Sequence, residues 1–465
     1  MNKPAANVLT LGKTPTSTVL KLSWPSILEQ IAFTIFQFAD TAMVAALGAS
    51  ATAAVGVVTP VLWLTNGLIA ALAMGLSVQV AQAIGAEDYE AARRVIRQSF
   101  SCAVVGGGVL TIITVLLAPA LPGMLGADPD IVPMASVYLR IVGYSLVADG
   151  VLMVFSAILR CMGNTRAPMI ANASTIVLNI ILNYFLIYPT RPVTIGTNTI
   201  TMPGLGMGVA GAAWGTAISI VVAAMMVLYS MRGSRFGLSL EWDHLKGYDK
   251  KILQRTAHLG VPVALERATL ALGQVAFIRI VATMGTNALA AHHLAVQAES
   301  LSYLPAFGFS VAATTLVGQA VGAGLKEDAR RFGNIAARMG LICMILTGTT
   351  LFFGSRYLIL FFTPDQEVVA LGSMLLKIVA FAQPMQAFFI IYSGALRGAG
   401  DSRWPFYINL VGVWGIRITS ACFFTFVLKL GLGWVWVAML MDLCFCGFVC
   451  YRRFSRGKWY PASQS

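Results

Sequence analysis

The sequence predicts an all-α membrane protein in which two six-helix repeats surround a central cavity. Three observations lead to this fold class. Of the 465 residues, 57% are hydrophobic and only 11% are charged, whereas soluble domains carry about 25% charged residues. Twelve stretches are long and apolar enough to cross a bilayer, and a single residue offset relates the two halves of the chain.

The apolar stretches have the length that a membrane helix needs. A bilayer core of about 30 Å requires about 20 largely apolar residues per crossing. Because residues 1–21 are polar and the first apolar run is of full length, we expect no cleavable signal. The predicted spans are 24–48, 57–82, 99–121, 134–158, 168–188, 207–231, 259–283, 290–318, 336–361, 367–394, 405–427 and 434–451.

The excess of Lys and Arg, and its distribution over the loops, indicates the membrane topology. The formal charge is 32 − 19 = +13, which in a soluble protein would suggest a nucleic-acid partner. Here the predicted loops on one side carry nearly all the Lys and Arg, and those on the other side carry only Arg191 and Lys429. Since basic loops stay in the cytoplasm and contact anionic lipid, we expect a monomer in the bacterial inner membrane with both termini cytoplasmic, and no nucleic-acid partner.

One offset relates the two halves. The segment from Arg160 to Pro168 reappears as Arg397 to Pro405, a shift of 397 − 160 = 237 residues. A single ungapped offset is typical of an internal repeat, a common construction in transport proteins. It fails only near the longer loop 189–206 of the first half. Further matched pairs are Pro25 and Pro262, Glu29 and Glu266, Gln37 and Gln274, Gln82 and Gln319, and Asn172 and Asn409.

The repeat predicts three regions. Residues 1–231 form an N-lobe with helices 1–6, residues 232–258 a charged cytoplasmic linker, and residues 259–465 a C-lobe with helices 7–12. Six crossings return the chain to its starting side, so an axis along the membrane normal should relate the lobes. For the linker, a short interfacial helix and a plain tether both remain open.

Asp40 is the acidic residue that stands out. A carboxylate within the hydrocarbon is costly, which makes it a functional hypothesis by default. It lies on one face of helix 1 with Gln37, and the offset maps Asp40 to Phe277 but Gln37 to Gln274. A carboxylate kept in one lobe only suggests a single coupling centre there. The alternative is a buried structural hydrogen-bonding group.

Helices 5 and 6 supply neutral polar residues that could serve this acid. Helix 5 places Asn172, Asn179 and Asn183 on one face, and helix 6 places Ala212 and Thr216 on one face. Amide and hydroxyl groups can coordinate Na⁺ or hydrogen-bond either protonation state of a carboxylate.

Other polar residues within the spans have two interpretations each. Pro25 removes a helical hydrogen bond and marks a site where helix 1 can bend, or it is architectural. The repeat mates Glu29 and Glu266 suit an inner gate or a structural role. Arg417 and Asp442 lie at comparable depth in helices 11 and 12, so we expect them to pair within the C-lobe, structurally or as substrate contacts.

These residues resemble the multidrug and toxic compound extrusion (MATE) family. The resemblance rests on the Pro25 to Asp40 segment, the Gln82/Gly85 and Gln319/Gly322 helix ends and the paired Arg-x-x-Gly-x-x-Arg-x-Pro elements, and it covers about residues 15–452. It implies a V-shaped exporter of organic, often cationic, compounds in exchange for H⁺ or Na⁺, and in some relatives bending of helix 1 is linked to Asp protonation.

The resemblance also implies a cation site in the N-lobe. Many relatives have Asp at the position of Asn183, so protonation of Asp40 is at least as good a hypothesis here as Na⁺ binding. The residues that match this site are Asp40, Asn179, Asn183, Ala212 and Thr216.

Several other functions are disfavoured. The chain has no Gly-x-x-x-x-Gly-Lys-Ser/Thr loop and no Cys/His metal set, so we expect neither direct use of ATP nor an enzyme, and no cofactor besides the coupling ion. The alternative is a flippase for a lipid-linked sugar or peptidoglycan precursor. Such a protein would be expected to have a cationic central cavity, whereas nearly all Arg and Lys lie at the cytoplasmic rim here, with Arg267, Arg279 and Arg417 as the few exceptions within the spans.

Overall fold

A computed structural model describes residues 9, 12, 14–195, 198–232 and 249–460. Helices make up nearly all of this part, and one two-stranded antiparallel hairpin interrupts them. The elements are α1 Pro15–Ala45, α2 Ala49–Gly85, α3 Tyr89–Leu117, α4 Leu121–Met124, α5 Val132–Cys161, α6 Arg166–Ile187, β1 Pro189–Ile195, β2 Asn198–Leu205, α7 Val209–Met231, α8 Lys250–Ala282, α9 Thr286–Ser302, α10 Leu304–Gly322, α11 Lys326–Leu360, α12 Gln366–Ala380, α13 Gln383–Ala399, α14 Arg403–Leu410, α15 Thr419–Cys422 and α16 Leu432–Ser455, with π-helical segments at Val411–Ile418 and Phe423–Val427.

The membrane fold predicted from the sequence is confirmed. In the described part, eleven helices are long and apolar enough to span a membrane, and α12 with α13 makes a twelfth if this pair, bent by 56°, is one span. Two spans are broken where the sequence predicted continuous helices, before α10 and before α13. Pro305 and Pro384 lie in the first turns after these breaks, where the missing backbone N–H costs no helical hydrogen bond.

The repeat is visible in the helix boundaries. Helices α2, α3 and α6 begin at residues 49, 89 and 166, and their mates α9, α11 and α14 begin at 286, 326 and 403, an offset of 237 in each case. The hairpin of β1 and β2 occupies the loop where the offset fails. Helix α8 begins at Lys250, inside the predicted linker 232–258, and residues 233–248 of that linker lie outside the described residues, so its interpretation stays a prediction.

The two lobes meet along two helix pairs. Helix α1 packs its first half against α10, where Leu22 and Ile27 join an apolar cluster made mostly by the C-lobe, and α2 packs against α8. We call the ends of α2 and α10 at Gly85 and Gly322 the inner end of the molecule, and the opposite side the outer end. The inner end carries the loops that are predicted to be cytoplasmic.

At the inner end the backbones of the lobes touch. A Cβ atom at Gly85 would overlap the Gln319 backbone oxygen, and one at Gly322 would overlap the Gln82 backbone oxygen. Every described side-chain hydrogen bond between the lobes also involves inner-half residues, such as Gln79 Nε2 to Thr256 Oγ1 at 2.8 Å. The lobes are therefore joined at the inner end, whereas in the outer half Trp63 of α2 is exposed. We call the space between the outer halves of the lobes the cleft.

Candidate functional site

Asp40 belongs to a hydrogen-bonded chain of neutral polar side chains in the N-lobe. Asn183 Nδ2 lies 2.8 Å from Asp40 Oδ1 and 2.8 Å from Asn179 Oδ1. Asn179 Nδ2 donates in turn to Thr216 Oγ1 over 3.1 Å. We call these four residues the Asp40 network. They are four of the five residues that the sequence predicted for the cation site.

Three helices build the Asp40 network. Asn179 and Asn183 are four residues apart and therefore lie on one face of α6, and both are fully buried. Helix α7 approaches this face through Gly215, where any side chain would overlap Asn183 Oδ1. Asp40 reaches the network from α1, near the outer end of that helix. A glycine in α7 thus makes room for the amide that contacts the carboxylate.

The Asp40 network contains one acidic group and two side-chain oxygen atoms that accept no hydrogen bond from the described residues. Asp40 is half-buried, and its Oδ2 accepts no hydrogen bond from the described residues. Asn183 Oδ1 is buried and has no hydrogen-bond partner in the described part of the chain. A free carboxylate oxygen can take up a proton, and carboxylate, amide and hydroxyl oxygens are the ligands that hard cations prefer. Over the described ranges, no group of three or more His, Cys, Asp or Glu side chains is placed so that it could hold a metal ion.

The other residues predicted near Asp40 lie apart from its hydrogen bonds. Ala212 is fully buried in an apolar cluster of the N-lobe, and Gln37 is exposed. Pro25 lies inside α1, which continues through it without a break. Asn172 shares a helix face with Asn179 by spacing, but its Nδ2 donates to Glu29 Oε1 over 2.6 Å. Asn172 is thus a partner of Glu29 and not of Asp40.

Glu29 and Glu266 form equivalent ion pairs, one in each lobe. Arg160 Nη2 lies 2.5 Å from Glu29 Oε1. Arg397 Nη2 lies 2.6 Å from Glu266 Oε1 and 2.8 Å from Oε2. The first pair joins α5 to α1 and the second joins α13 to α8, so each pair lies within one lobe. This favours the structural interpretation over a gate between the lobes.

Arg417 and Asp442 are paired within the C-lobe, as the sequence predicted. Arg417 Nε and Nη2 lie 2.8 Å and 2.6 Å from Asp442 Oδ2, and Cys446 Sγ lies 3.1 Å from Asp442 Oδ1. Arg417 is in the π-helical segment Val411–Ile418, a backbone form that is frequent at functional sites. Whether this pair also contacts substrate stays a prediction.

Sequence reasoning missed residues whose roles depend on packing between helices. Gly215 is one, since no periodicity distinguishes it from other glycines. Tyr188 is another, because its hydroxyl donates to the Met43 backbone oxygen over 3.0 Å and fixes the end of α6 to α1 close to Asp40. Arg255 is a third, because it donates across the lobes to Gln82 Oε1.

Known proteins resemble the chain along nearly its whole length. The MatE family model matches residues 25–185 and 262–423. A Thermotoga maritima protein named probable multidrug resistance protein NorM is 31% identical over 442 residues, which are 95% of this chain and 92% of that protein. A Bacillus subtilis protein named uncharacterized transporter YisQ is 27% identical over 452 residues, which are 96% of this chain and 95% of that protein.

Solved structures share the fold. A crystal structure of MATE in complex with MaL6 has a TM-score of 0.89 at 23% identity, over 98% of this chain and 100% of that chain. An outward-facing conformation of a multidrug resistance MATE family transporter has the same TM-score, identity and coverage. Since the family model matches most of both lobes and a relative above 30% identity spans nearly the whole chain, this protein belongs to the MatE family of multi-pass membrane transporters.

Proposed function

We propose that the protein is a secondary active exporter that moves organic compounds out of the cell in exchange for H⁺ or Na⁺, with Asp40 as the coupling residue. One observation carries the proposal. The Asp40 carboxylate lies in a membrane helix and its hydrogen-bonded partners are neutral, so a cation is the simplest way to neutralise it. The names of several relatives as multidrug resistance proteins support the substrate class.

The geometry suggests how an ion could drive the cycle. An ion shifts a conformational equilibrium only if it binds the two conformers with different affinity. In this structure the half-buried Asp40 has one carboxylate oxygen that accepts no hydrogen bond from the described residues and can receive a proton or help to bind Na⁺. Neutralised, Asp40 carries no net charge into a more closed arrangement, which lowers the cost of burying it. Bending of α1 at Pro25 is a candidate for the accompanying movement.

The surface between the lobes suits varied organic compounds. Large apolar side chains in the outer halves of the lobes are exposed, including Trp63 of α2 and Ile35 of α1. Such surfaces bind ligands by apolar contact and need few fixed polar groups. With the basic loops at the inner end, we place the protein in the bacterial inner membrane with both termini in the cytoplasm.

Transport by purified protein in liposomes tests this function. A fluorescent organic cation is loaded, and its efflux is followed under a pH gradient and separately under a Na⁺ gradient. Efflux that depends on one of the gradients supports the proposal and identifies the ion. If neither gradient drives efflux while a lipid-linked precursor is flipped across the bilayer, the exporter proposal is wrong.

A further inference from the structure

The floor of the cleft between the lobes carries an arginine, Arg267, that forms no ion pair with any of the described residues. Along the contact of α2 with α8, Gly75 lies against Thr256 and Ala71 against Gly260, and the last close approach toward the outer end joins Gly67 to the stem of Arg267. Beyond this level no described glycine of α2 touches the C-lobe. Arg267 thus lies at the outermost of these contacts, and its side chain is exposed.

The charges around Arg267 do not neutralise it. Glu266 and Arg397 are the charged groups close enough to act on it. Both carboxylate oxygens of Glu266 already accept hydrogen bonds from Arg397. Glu29 likewise forms an ion pair with Arg160. Each of these pairs is neutral overall. Among the described residues, Arg267 has no ion pair, which leaves one positive charge at this level of the cleft.

The repeat shows that this charge is specific to one side of the cleft. Subtracting the offset from Arg267 gives 267 − 237 = 30, and residue 30 is Gln30 of α1. Gln30 occupies the equivalent position on the contact of α1 with α10, so the pseudo-symmetric scaffold itself does not require a cation there. An exposed guanidinium without an ion pair among the described residues is available to an anionic group that enters the cleft.

We propose that Arg267 binds the anionic group of the exported compound, so that the protein prefers amphipathic substrates with a carboxylate. A guanidinium can donate two parallel hydrogen bonds to a carboxylate. One helical turn further out on α2, Trp63 is 67% exposed and offers an aromatic surface for the apolar body of such a compound. This inference rests on the proposed exporter function and specifies its substrate class.

Three probes in proteoliposomes separate the two proposals. They are a fluoroquinolone with a free carboxylate, the methyl ester of the same compound, and tetraphenylphosphonium, a cation without an acidic group. The variants are wild type, Arg267→Gln, which installs the residue of the repeat mate, and Arg279→Gln, which removes an exposed arginine further along α8. The measured quantity is the KM of efflux under the driving ion gradient.

For wild type we expect the KM of the free acid to be about tenfold to a hundredfold lower than that of the ester, the range expected for one charged hydrogen-bonding contact. Arg267→Gln should remove this difference and lower the KM of tetraphenylphosphonium, because a positive charge that repels the cation is gone. A merely structural residue would not move the two KM values in opposite directions. Arg279→Gln should behave as wild type.

Equal KM values for acid and ester in wild type would overturn the inference, and this comparison holds even if Arg267→Gln fails to fold. An unchanged preference for the acid in folded Arg267→Gln would overturn it as well. If tetraphenylphosphonium is exported and the acid is not preferred, only the role of Arg267 is wrong. If no probe is exported under either gradient, the proposed function itself fails.

Discussion

Gln82 and Gln319, which the repeat makes equivalent, donate hydrogen bonds across the contact between the lobes in opposite directions. Gln82 Nε2 donates to the Gly398 backbone oxygen of the C-lobe over 3.0 Å. Gln319 Nε2 donates to the Cys161 backbone oxygen of the N-lobe over 2.7 Å. The two bonds tie each lobe to the other at the inner end.

Removing both amides should favour opening at the inner end. Each hydrogen bond contributes about 1 kcal/mol, so Gln82→Ala with Gln319→Ala should raise the population of inward-open molecules about tenfold or more. Spin labels at Glu90 and Glu327, which are exposed on the inner side of the two lobes, report this as a longer distance. Gln366→Ala at an exposed site is the control, and an unchanged distance distribution in the double variant would contradict the assignment.

The glycines beside these glutamines should be sensitive to a single methyl group. An added Cβ at Gly85 would overlap the Gln319 backbone oxygen, and overpacking of this kind costs about 1–3 kcal/mol. Gly85→Ala should therefore separate the inner ends and expose buried Cys161 to a membrane-permeant maleimide in a variant that retains only this cysteine. Gly108→Ala in α3, which has open space around it, is the control. Equal labelling rates in the two variants would refute the prediction.

Breaking the buried pair of the C-lobe should destabilise the protein. Arg417→Met leaves the buried Asp442 carboxylate without its cation, which costs about 3–5 kcal/mol, and thermal unfolding should shift to lower temperature. Adding Asp442→Leu removes the unpaired charge and should restore much of the lost stability. Arg356→Met at an exposed site serves as the control. A double variant as unstable as Arg417→Met would show that the unpaired Asp442 carboxylate is not the cause of the destabilisation.

Gly215 should be required for the geometry around Asp40. An alanine there would displace the Asn183 amide from the carboxylate. Overpacking of this kind costs about 1–3 kcal/mol. Gly215→Ala should therefore raise the concentration of coupling ion needed for half-maximal efflux about fivefold to a hundredfold. Gly56→Ala in α2 has room for its methyl group and should leave this value unchanged. No change in Gly215→Ala would argue against the network as the ion site.

The sequence was sufficient for the helical repeat and for most of the Asp40 network. Hydropathy and the 237-residue offset are periodic signals, and helical spacing placed Asn179 beside Asn183. The same spacing also placed Asn172 with them, although it contacts Glu29. Spacing specifies the face of a helix, but it does not specify the neighbouring helix toward which each turn of that face points.

The remaining features depend on contacts between distant segments. The overlap of Gly85 with Gln319, the room that Gly215 makes for Asn183 and the bond from Arg255 to Gln82 join residues far apart in the chain. The breaks before α10 and α13 were also missed. A proline in an apolar run is compatible with either a kink or a new helix start, and the packing of the surrounding helices decides between them.

The most direct test of Asp40 as the coupling residue is substrate-driven ion flux in proteoliposomes. An outward gradient of a transported organic compound should drive uptake of the coupling ion by wild type, and Asp40→Asn should abolish this uptake. Asp149→Asn, which removes another acid of the N-lobe, is the matched control and should retain it. Ion uptake in Asp40→Asn equal to that of wild type would contradict the account.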